Sequence, residues 1–103
     1  MKLAALLETL SEVQTTGNLP ESIKALEYDS RRVAPGSLFI ALRGAKVDGH
    51  QFAAQAAQRG AVAVVAEESL VLPDTCALVR VPNSREAMAD LASAFYGQPT
   101  RQL

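Results

Sequence analysis

Two polar clusters hold most of the side chains that could do chemistry, and each follows a segment with the pattern of a strand. The first is YDSRR at residues 28–32, where Ser30 offers a hydroxyl and Arg31 and Arg32 offer positive charge. Arginine next to the free backbone N–H groups of a strand end suits a phosphate-bearing ligand. The alternative is a solvated turn in which Asp29 or Ser30 caps the local backbone. Taken alone, the residue types favour the turn.

The second cluster is RGAKVDGH at residues 43–50, directly after the apolar run at residues 38–42. In open α/β sheets, ligands bind outside the carboxyl ends of the strands, and glycines let the backbone approach a ligand closely. The alternative is a strand-to-helix loop with Asp48 as the N-cap and His50 in the first turn. We interpret Asp48 and His50 as structural, so position, more than residue type, makes this loop a binding candidate.

The other reactive groups do not form a catalytic set. One histidine, one cysteine and scattered carboxylates make no triad, no metal site and no phosphate-binding glycine loop. Cys76 precedes an apolar run and is predicted to be a small buried thiol. A lone cysteine also excludes an intramolecular disulfide, so nothing indicates an oxidising compartment.

Length and charge limit the classes of function. A chain of 103 residues supports one modest core, which is too little for a complete ATP-dependent enzyme. Its net charge of −1 gives no basic footprint for nucleic acid. No apolar stretch is long enough to span a membrane, and the amino-terminal leucines are too interrupted to form a signal peptide. These features predict a cytoplasmic binding module, regulatory domain or part of a larger protein.

The elements that must position the two clusters alternate between helices and short strands. Leucines at positions 3, 6, 7 and 10 have helical spacing, and residues 14–22 are predicted to be a loop. Strands are predicted within residues 23–29, 38–42, 61–66 and 77–81, and helices over residues 49–60 and 83–97. Pro35-Gly36 predicts a type II turn, Gly60 predicts the end of the first of these helices, and Asn83 with Glu86 predicts a capping box at the start of the second. The segment 61–66 is apolar on both faces, which is typical of a central strand covered on both sides. The pattern predicts a single α/β domain, with a small, mostly parallel sheet flanked by helices.

Three motifs, taken in order, resemble the N-terminal domain of the Mur ligases. They are DSRRVAPGSLFIA at residues 29–41, GAKVDGHQF at residues 44–52 and GAVAVVAE at residues 60–67. The ending FYGQPT at residues 95–100 resembles the MurE type, which adds the third residue of the peptidoglycan stem peptide. The alternatives are the D-Ala-D-Ala-adding type and a stand-alone α/β interaction module without a small-molecule site.

The resemblance implies that residues 1–103 are the UDP-binding domain of an ATP-dependent, amide-forming ligase. Its partner would be the nucleotide sugar UDP-MurNAc-L-Ala-D-Glu, with neither nucleic acid nor membrane involved. ATP and Mg²⁺ would belong to a central ATPase domain, and selection of the incoming amino acid to a C-terminal domain, both absent from this chain. The chain itself would then hold no cofactor and carry out no catalysis.

The resemblance also selects site residues by position. Tyr28 and Ser30 stand where the family contacts the UDP portion, and residues 45–47 stand in its second uridine-diphosphate loop. Some members have a His-Gln pair where this chain has Ala45 and Lys46, so Lys46 would offer a charge to the diphosphate instead. The predicted substrate-binding residues are therefore Tyr28, Ser30, Arg31, Gly44, Ala45, Lys46 and Val47.

Overall fold

Five strands form one sheet with helices on both faces, which confirms the predicted α/β class with one strand more than the sequence predicts. The computed structural model describes residues 2–10, 12–42 and 49–96. The strands are β1 (Gln14–Thr16), β2 (Ala25–Glu27), β3 (Ser37–Ile40), β4 (Ala63–Ala66) and β5 (Ala77–Arg80). The helices are α1 (Leu3–Leu7), α2 (Ala53–Gln58) and α3 (Ser84–Tyr96). Two single turns of 3₁₀ helix complete the order: the Ser30 turn (Ser30–Arg32) and the Gly49 turn (Gly49–Phe52).

The strand order is β1-β5-β4-β3-β2, and β2 to β5 are parallel. Their carboxyl ends therefore lie along a single edge of the sheet. The Ser30 turn follows β2 at that edge, and the Gly49 turn follows β3. Both polar clusters identified in the sequence thus start from the edge at which α/β proteins bind ligands.

The core has two layers, one on each face of the sheet. On β3, Leu38 and Ile40 pack towards α1 and α3, whereas Phe39 faces α2. Every residue of β4 is buried, which confirms its prediction as a central strand. The small side chains of α2, among them Ala53 and Ala56, let that helix lie close to the sheet.

One strand was missed in the sequence. Residues 14–22 were predicted to be a loop, but Gln14–Thr16 pairs antiparallel with β5, with Thr15 opposite Val79. All three residues of β1 are exposed and polar. An edge strand without a buried face shows no hydrophobic alternation, so only its backbone pairing identifies it.

Local turn and capping signals are confirmed. Gly36 has a φ of +94°, and Ser37 N donates to Ala34 O at 3.1 Å, as expected for a turn through Pro35 and Gly36. Gly60, with a φ of +109°, follows α2. Glu86 N donates to the Asn83 side chain at 3.1 Å, which is the N-cap contact predicted for α3. Among the described helices, none is both long and apolar enough to cross a membrane.

Candidate functional site: a cleft at the carboxyl ends of two strands

A cleft of about 670 Å³ lies at the carboxyl ends of β2 and β3. Its lining residues come from the segment after β2 and the Ser30 turn, from β3 and the segment after it, and from the Gly49 turn and α2: Tyr28, Asp29, Ser30, Arg31, Phe39, Leu42, Gly49, Phe52 and Gln55. The volume falls within the range of small-molecule sites, and the lining combines apolar rings with a few polar groups. The structure therefore brings residues 28–31 of the first polar cluster and Gly49 of the second into one cavity.

The Ser30 turn owes its shape to Asp29. The Asp29 carboxylate accepts a hydrogen bond from Arg31 N at 3.0 Å, which caps the turn. The chain can thus turn immediately after β2 without leaving this backbone donor unpaired. The capping role that the sequence offered as the alternative is what Asp29 performs, and the same contact sets the direction in which Arg31 leaves the backbone.

Asp29 also holds the Arg31 side chain in a two-point ion pair. Arg31 Nε donates to Oδ1 at 3.1 Å and Nη2 donates to Oδ2 at 2.9 Å. The hydrogen bonds from the Arg31 side chain and backbone lower the pKa of Asp29 to about 2. The Arg31 side chain is 82% exposed. Its remaining N–H donors can therefore still reach a ligand in the cleft.

The other predicted residues of the first cluster differ in exposure. Ser30 is buried and lines the cleft. Its hydroxyl makes no hydrogen bond to the part of the chain that the structure describes, so it is free to bind a ligand. Tyr28 also lines the cleft and is 66% exposed, so its ring is not packed in the core. Arg32, a phosphate-binding candidate in the sequence, is exposed but does not line the cleft.

The predicted residues of the second cluster, Gly44, Ala45, Lys46 and Val47, lie outside the described residues, as does Asp48. Both ends of that segment are described, however. Gly49 N donates to Leu42 O at 2.6 Å, and both residues line the cleft. The two described residues that flank the segment are therefore joined to each other at the rim of the cleft.

Gly49 is required at this rim for a steric reason. A Cβ atom at this position would lie 2.7 Å from Leu42 N and 2.7 Å from Leu42 O. Both are backbone atoms, so no side-chain rotation could relieve the contact. The sequence predicts that glycines in this loop let the backbone approach a ligand closely. In the structure, the atoms that Gly49 approaches closely are those of the Leu42 backbone, just after β3.

The wall of the cleft formed by β3 and the start of α2 is not among the site residues that the sequence predicts. Phe39, Phe52 and Gln55 belong to the lining, and Phe39 is almost wholly buried. Phe52 and Gln55 are three residues apart where the Gly49 turn runs into α2, so they lie on the same side of that segment. This spacing is the one signal that could have identified Phe52 and Gln55 as neighbours in the lining.

Two other sequence assignments concern residues outside the cleft lining. His50 is buried, and its Nε2 accepts a hydrogen bond from Glu67 N at 2.9 Å, so its interpretation as structural is confirmed. Cys76 is the buried thiol that was predicted, and burial raises its pKa to about 11. Residues 2–10, 12–42 and 49–96 contain no group of three or more side chains suited to a metal ion.

Comparison with known proteins identifies the family. A model described as "Mur ligase family, catalytic domain" matches residues 22–96, which is most of the chain. The chain belongs to the Mur ligase family. It is 55% identical over its whole length to the UDP-N-acetylmuramoyl-L-alanyl-D-glutamate--2,6-diaminopimelate ligase of Geobacillus thermodenitrificans. It is 45% identical to the ligase of the same name from Syntrophomonas wolfei. The chain spans about a fifth, 21%, of the length of each of these Mur ligases.

Solved structures of the Mur ligase family support the fold. A crystal structure of MurF from Acinetobacter baumannii matches with a TM-score of 0.78 and 26% identity, over 89% of this chain and 20% of that one. MurF from Thermotoga maritima in complex with ADP matches with a TM-score of 0.61 and 32% identity, over 69% of this chain and 16% of that one. The predicted α/β fold and the resemblance to the N-terminal domain of a MurE-type Mur ligase are both confirmed.

Proposed function

We propose that this Mur ligase chain binds the UDP portion of UDP-MurNAc-L-Ala-D-Glu. The larger ligase to which it would contribute adds the third residue of the peptidoglycan stem peptide. The observation that carries the proposal is the cleft at the ends of β2 and β3. It collects Tyr28, Ser30 and Arg31, all selected beforehand by the sequence, in a cavity of about 670 Å³ that can hold a nucleotide.

The lining supplies a complementary group for each part of a uridine diphosphate. The exposed Tyr28 ring offers a face on which the uracil can stack. The buried Ser30 hydroxyl can hydrogen-bond a polar edge of the ligand, and Arg31 can donate to a diphosphate oxygen. Phe39 and Phe52 supply the apolar contact that excludes water from the site.

We extend the proposal to Gly44, Ala45, Lys46 and Val47 because the segment that contains them is anchored on both sides at the cleft. Leu42 and Gly49, its described neighbours, both line the cavity and are hydrogen-bonded to each other. In this proposal the backbone of residues 44–47 contacts the UDP portion, and Lys46 contributes a charge to the diphosphate. The near-neutral net charge is compatible with this, because one diphosphate needs only a few local donors.

The chemistry of the larger ligase would take place elsewhere. In this proposal the amide-forming step of the larger ligase uses ATP and Mg²⁺. In the proposal they belong to the remaining four fifths of a ligase like the relatives, together with selection of diaminopimelate as the added amino acid. Binding of the remote UDP end then holds the reacting carboxylate in place, which lowers the entropic part of the barrier.

The test is an NMR titration of the ¹⁵N-labelled chain with UDP-MurNAc-L-Ala-D-Glu. We expect shifts concentrated in residues 28–31 and 42–49, and the same pattern at weaker affinity with UDP alone. Ser30→Ala should weaken binding roughly fivefold, the effect of losing one neutral hydrogen bond. Ser93→Ala, on the exposed face of α3, should change nothing. Absence of shifts at millimolar ligand would contradict the proposal and favour the stand-alone interaction module.

A second candidate is the D-Ala-D-Ala-adding Mur ligase, because the solved structures that match are MurF structures. The sequence relatives, at up to 55% identity over the whole chain, favour the diaminopimelate-adding ligase instead. The two candidates differ in substrate. The full-length ligase containing this chain should consume the UDP-MurNAc-dipeptide, and preference for the tripeptide would establish the second candidate.

A further inference from the structure

The single histidine of the chain joins two elements that are distant in sequence. His50 is the second residue of the Gly49 turn, is buried, and accepts a hydrogen bond at Nε2 from Glu67 N at 2.9 Å. An accepting Nε2 carries no proton, so the neutral imidazole with its proton on Nδ1 makes this contact. Glu67 directly follows β4, the central strand, so the contact fastens the turn to the most buried part of the sheet.

Glu67 continues the connection to a third element. Its side-chain Oε2 accepts a hydrogen bond from Ser84 N at 2.8 Å, and Ser84 is the first residue of α3. The first N–H groups of a helix have no partner within the helix, so a carboxylate supplied from 17 residues away satisfies one of them. His50, Glu67 and Ser84 therefore link the Gly49 turn, the end of β4 and the start of α3.

The residue before His50 forms the rim of the cleft. Gly49 donates to Leu42 O and lines the cavity, whereas His50 does not line it. The Gly49 backbone is thus held by its own hydrogen bond to Leu42 O and, through the next residue, by the contact of His50 with Glu67.

We infer that His50 and Glu67 are positioning residues that hold the Gly49 rim of the cleft in its ligand-binding geometry. The predicted effect on binding rests on the proposed function, whereas protection of the Gly49 amide from hydrogen exchange can be measured without a ligand. Neither residue contacts the ligand in this arrangement. The effect on binding passes through Gly49, which lines the cleft.

The matched variants are His50→Gln and His50→Met. The two new side chains have the same length, but only glutamine provides a strong acceptor near the place of Nε2. Val79→Ala, in β5 and fully buried, serves as a control that lowers global stability without touching the rim. Folding of each variant is verified from the dispersion of its amide resonances.

The first measurement is hydrogen exchange of the Gly49 amide in the 103-residue chain. In His50→Met we expect the Gly49 amide to exchange at least ~tenfold faster than in the original chain. The reference is the Lys24 amide, which is bonded to Gly36 O at the amino-terminal end of β3, opposite to the cleft. His50→Gln should restore most of the protection, and Val79→Ala should accelerate Gly49 and Lys24 alike. Equal protection of Gly49 in His50→Met and His50→Gln would overturn the inference.

The second measurement is UDP affinity of the same variants. We expect His50→Met to bind roughly three- to tenfold more weakly and His50→Gln to recover at least half of the loss. If the original chain does not bind UDP, the proposed function fails while the exchange result still decides the role of His50. If the original chain binds and folded His50→Met binds equally well, the inference about positioning fails and the proposed function stands.

Discussion

The two turns that border the cleft are held in different ways. At the Ser30 turn the stabilising contacts are local and exposed: Asp29 bonds the backbone and side chain of Arg31, two residues away. At the Gly49 turn they are remote: His50 bonds Glu67, 17 residues away, and Gly49 bonds Leu42 at the end of β3. One turn could form in a short peptide, whereas the other requires the assembled sheet.

This difference separates the roles of the two sides of the cleft. Exposed ion pairs contribute little to stability but leave donors available for a ligand. Buried hydrogen bonds and tight backbone contacts contribute more to stability, and they leave no group free for binding. We therefore expect changes at the Ser30 turn to affect mainly affinity, and changes at the Gly49 turn to affect stability first.

The largest effect is expected for Gly49→Ala. The added Cβ would clash at 2.7 Å with two backbone atoms of Leu42, so the Gly49 turn or the end of β3 must shift. We expect a loss of roughly 2–4 kcal/mol in the free energy of unfolding, measured by denaturant titration. Gly17→Ala is the control: its φ is +89°, but the nearest atom to its new Cβ would be 3.6 Å away. A loss for Gly49→Ala no greater than for Gly17→Ala would show that the rim tolerates displacement.

Removal of the Glu67 carboxylate should have the next largest effect. Glu67→Ala leaves Ser84 N without its partner, and we expect a loss of about 1–3 kcal/mol in the free energy of unfolding. Glu67→Gln keeps an oxygen acceptor and should lose less than half as much. Glu21→Ala, at an exposed position, should be close to neutral. Identical losses for the alanine and glutamine variants would mean that the hydrogen bond to Ser84 is not what Glu67 contributes.

Arg31→Gln tests the opposite side of the cleft. Because the Arg31 side chain is largely exposed, the melting temperature should hardly change. UDP affinity should fall roughly two- to fivefold, the range of an exposed charge contact, and most of the loss should disappear with uridine as ligand. Arg59→Gln, an exposed position outside the cleft lining, should leave affinity unchanged. An equal loss with uridine would place Arg31 away from the diphosphate.

The smallest effect is the pH dependence of Asp29. Its pKa of about 2 lies below the ordinary value of 3.8 because Arg31 stabilises the carboxylate. The ion pair therefore contributes stability above about pH 4 and loses that contribution as the pH falls towards 2. An NMR titration of the Asp29 carboxyl carbon should give a midpoint near 2, and in Arg31→Gln a midpoint closer to 3.8. A midpoint that does not respond to Arg31→Gln would contradict the two-point ion pair.

Local patterns predicted most of the fold. The apolar run at residues 61–66 indicated the central strand, and Asn83 with Glu86 indicated the start of α3. Both could be recognised because each signal is formed by residues that are close together in the sequence. β1 escaped detection because its side chains are all exposed and polar. The sequence does not identify Phe39 and Phe52 as lining residues, because hydrophobic spacing is the same for a core and for an apolar cleft wall.

The sequence by itself determined the family, the alternation of strands and helices, and the two polar clusters at strand ends, because motifs and periodicity are properties of neighbouring residues. Only the tertiary structure showed that the Ser30 turn and the Gly49 turn border the same cleft. It also showed that His50 reaches Glu67 and that Glu67 reaches α3, because these contacts bridge 17 residues each and depend on the packing of β3, β4 and α3. No pattern of residue spacing along the chain predicts contacts between residues that are this far apart in the sequence.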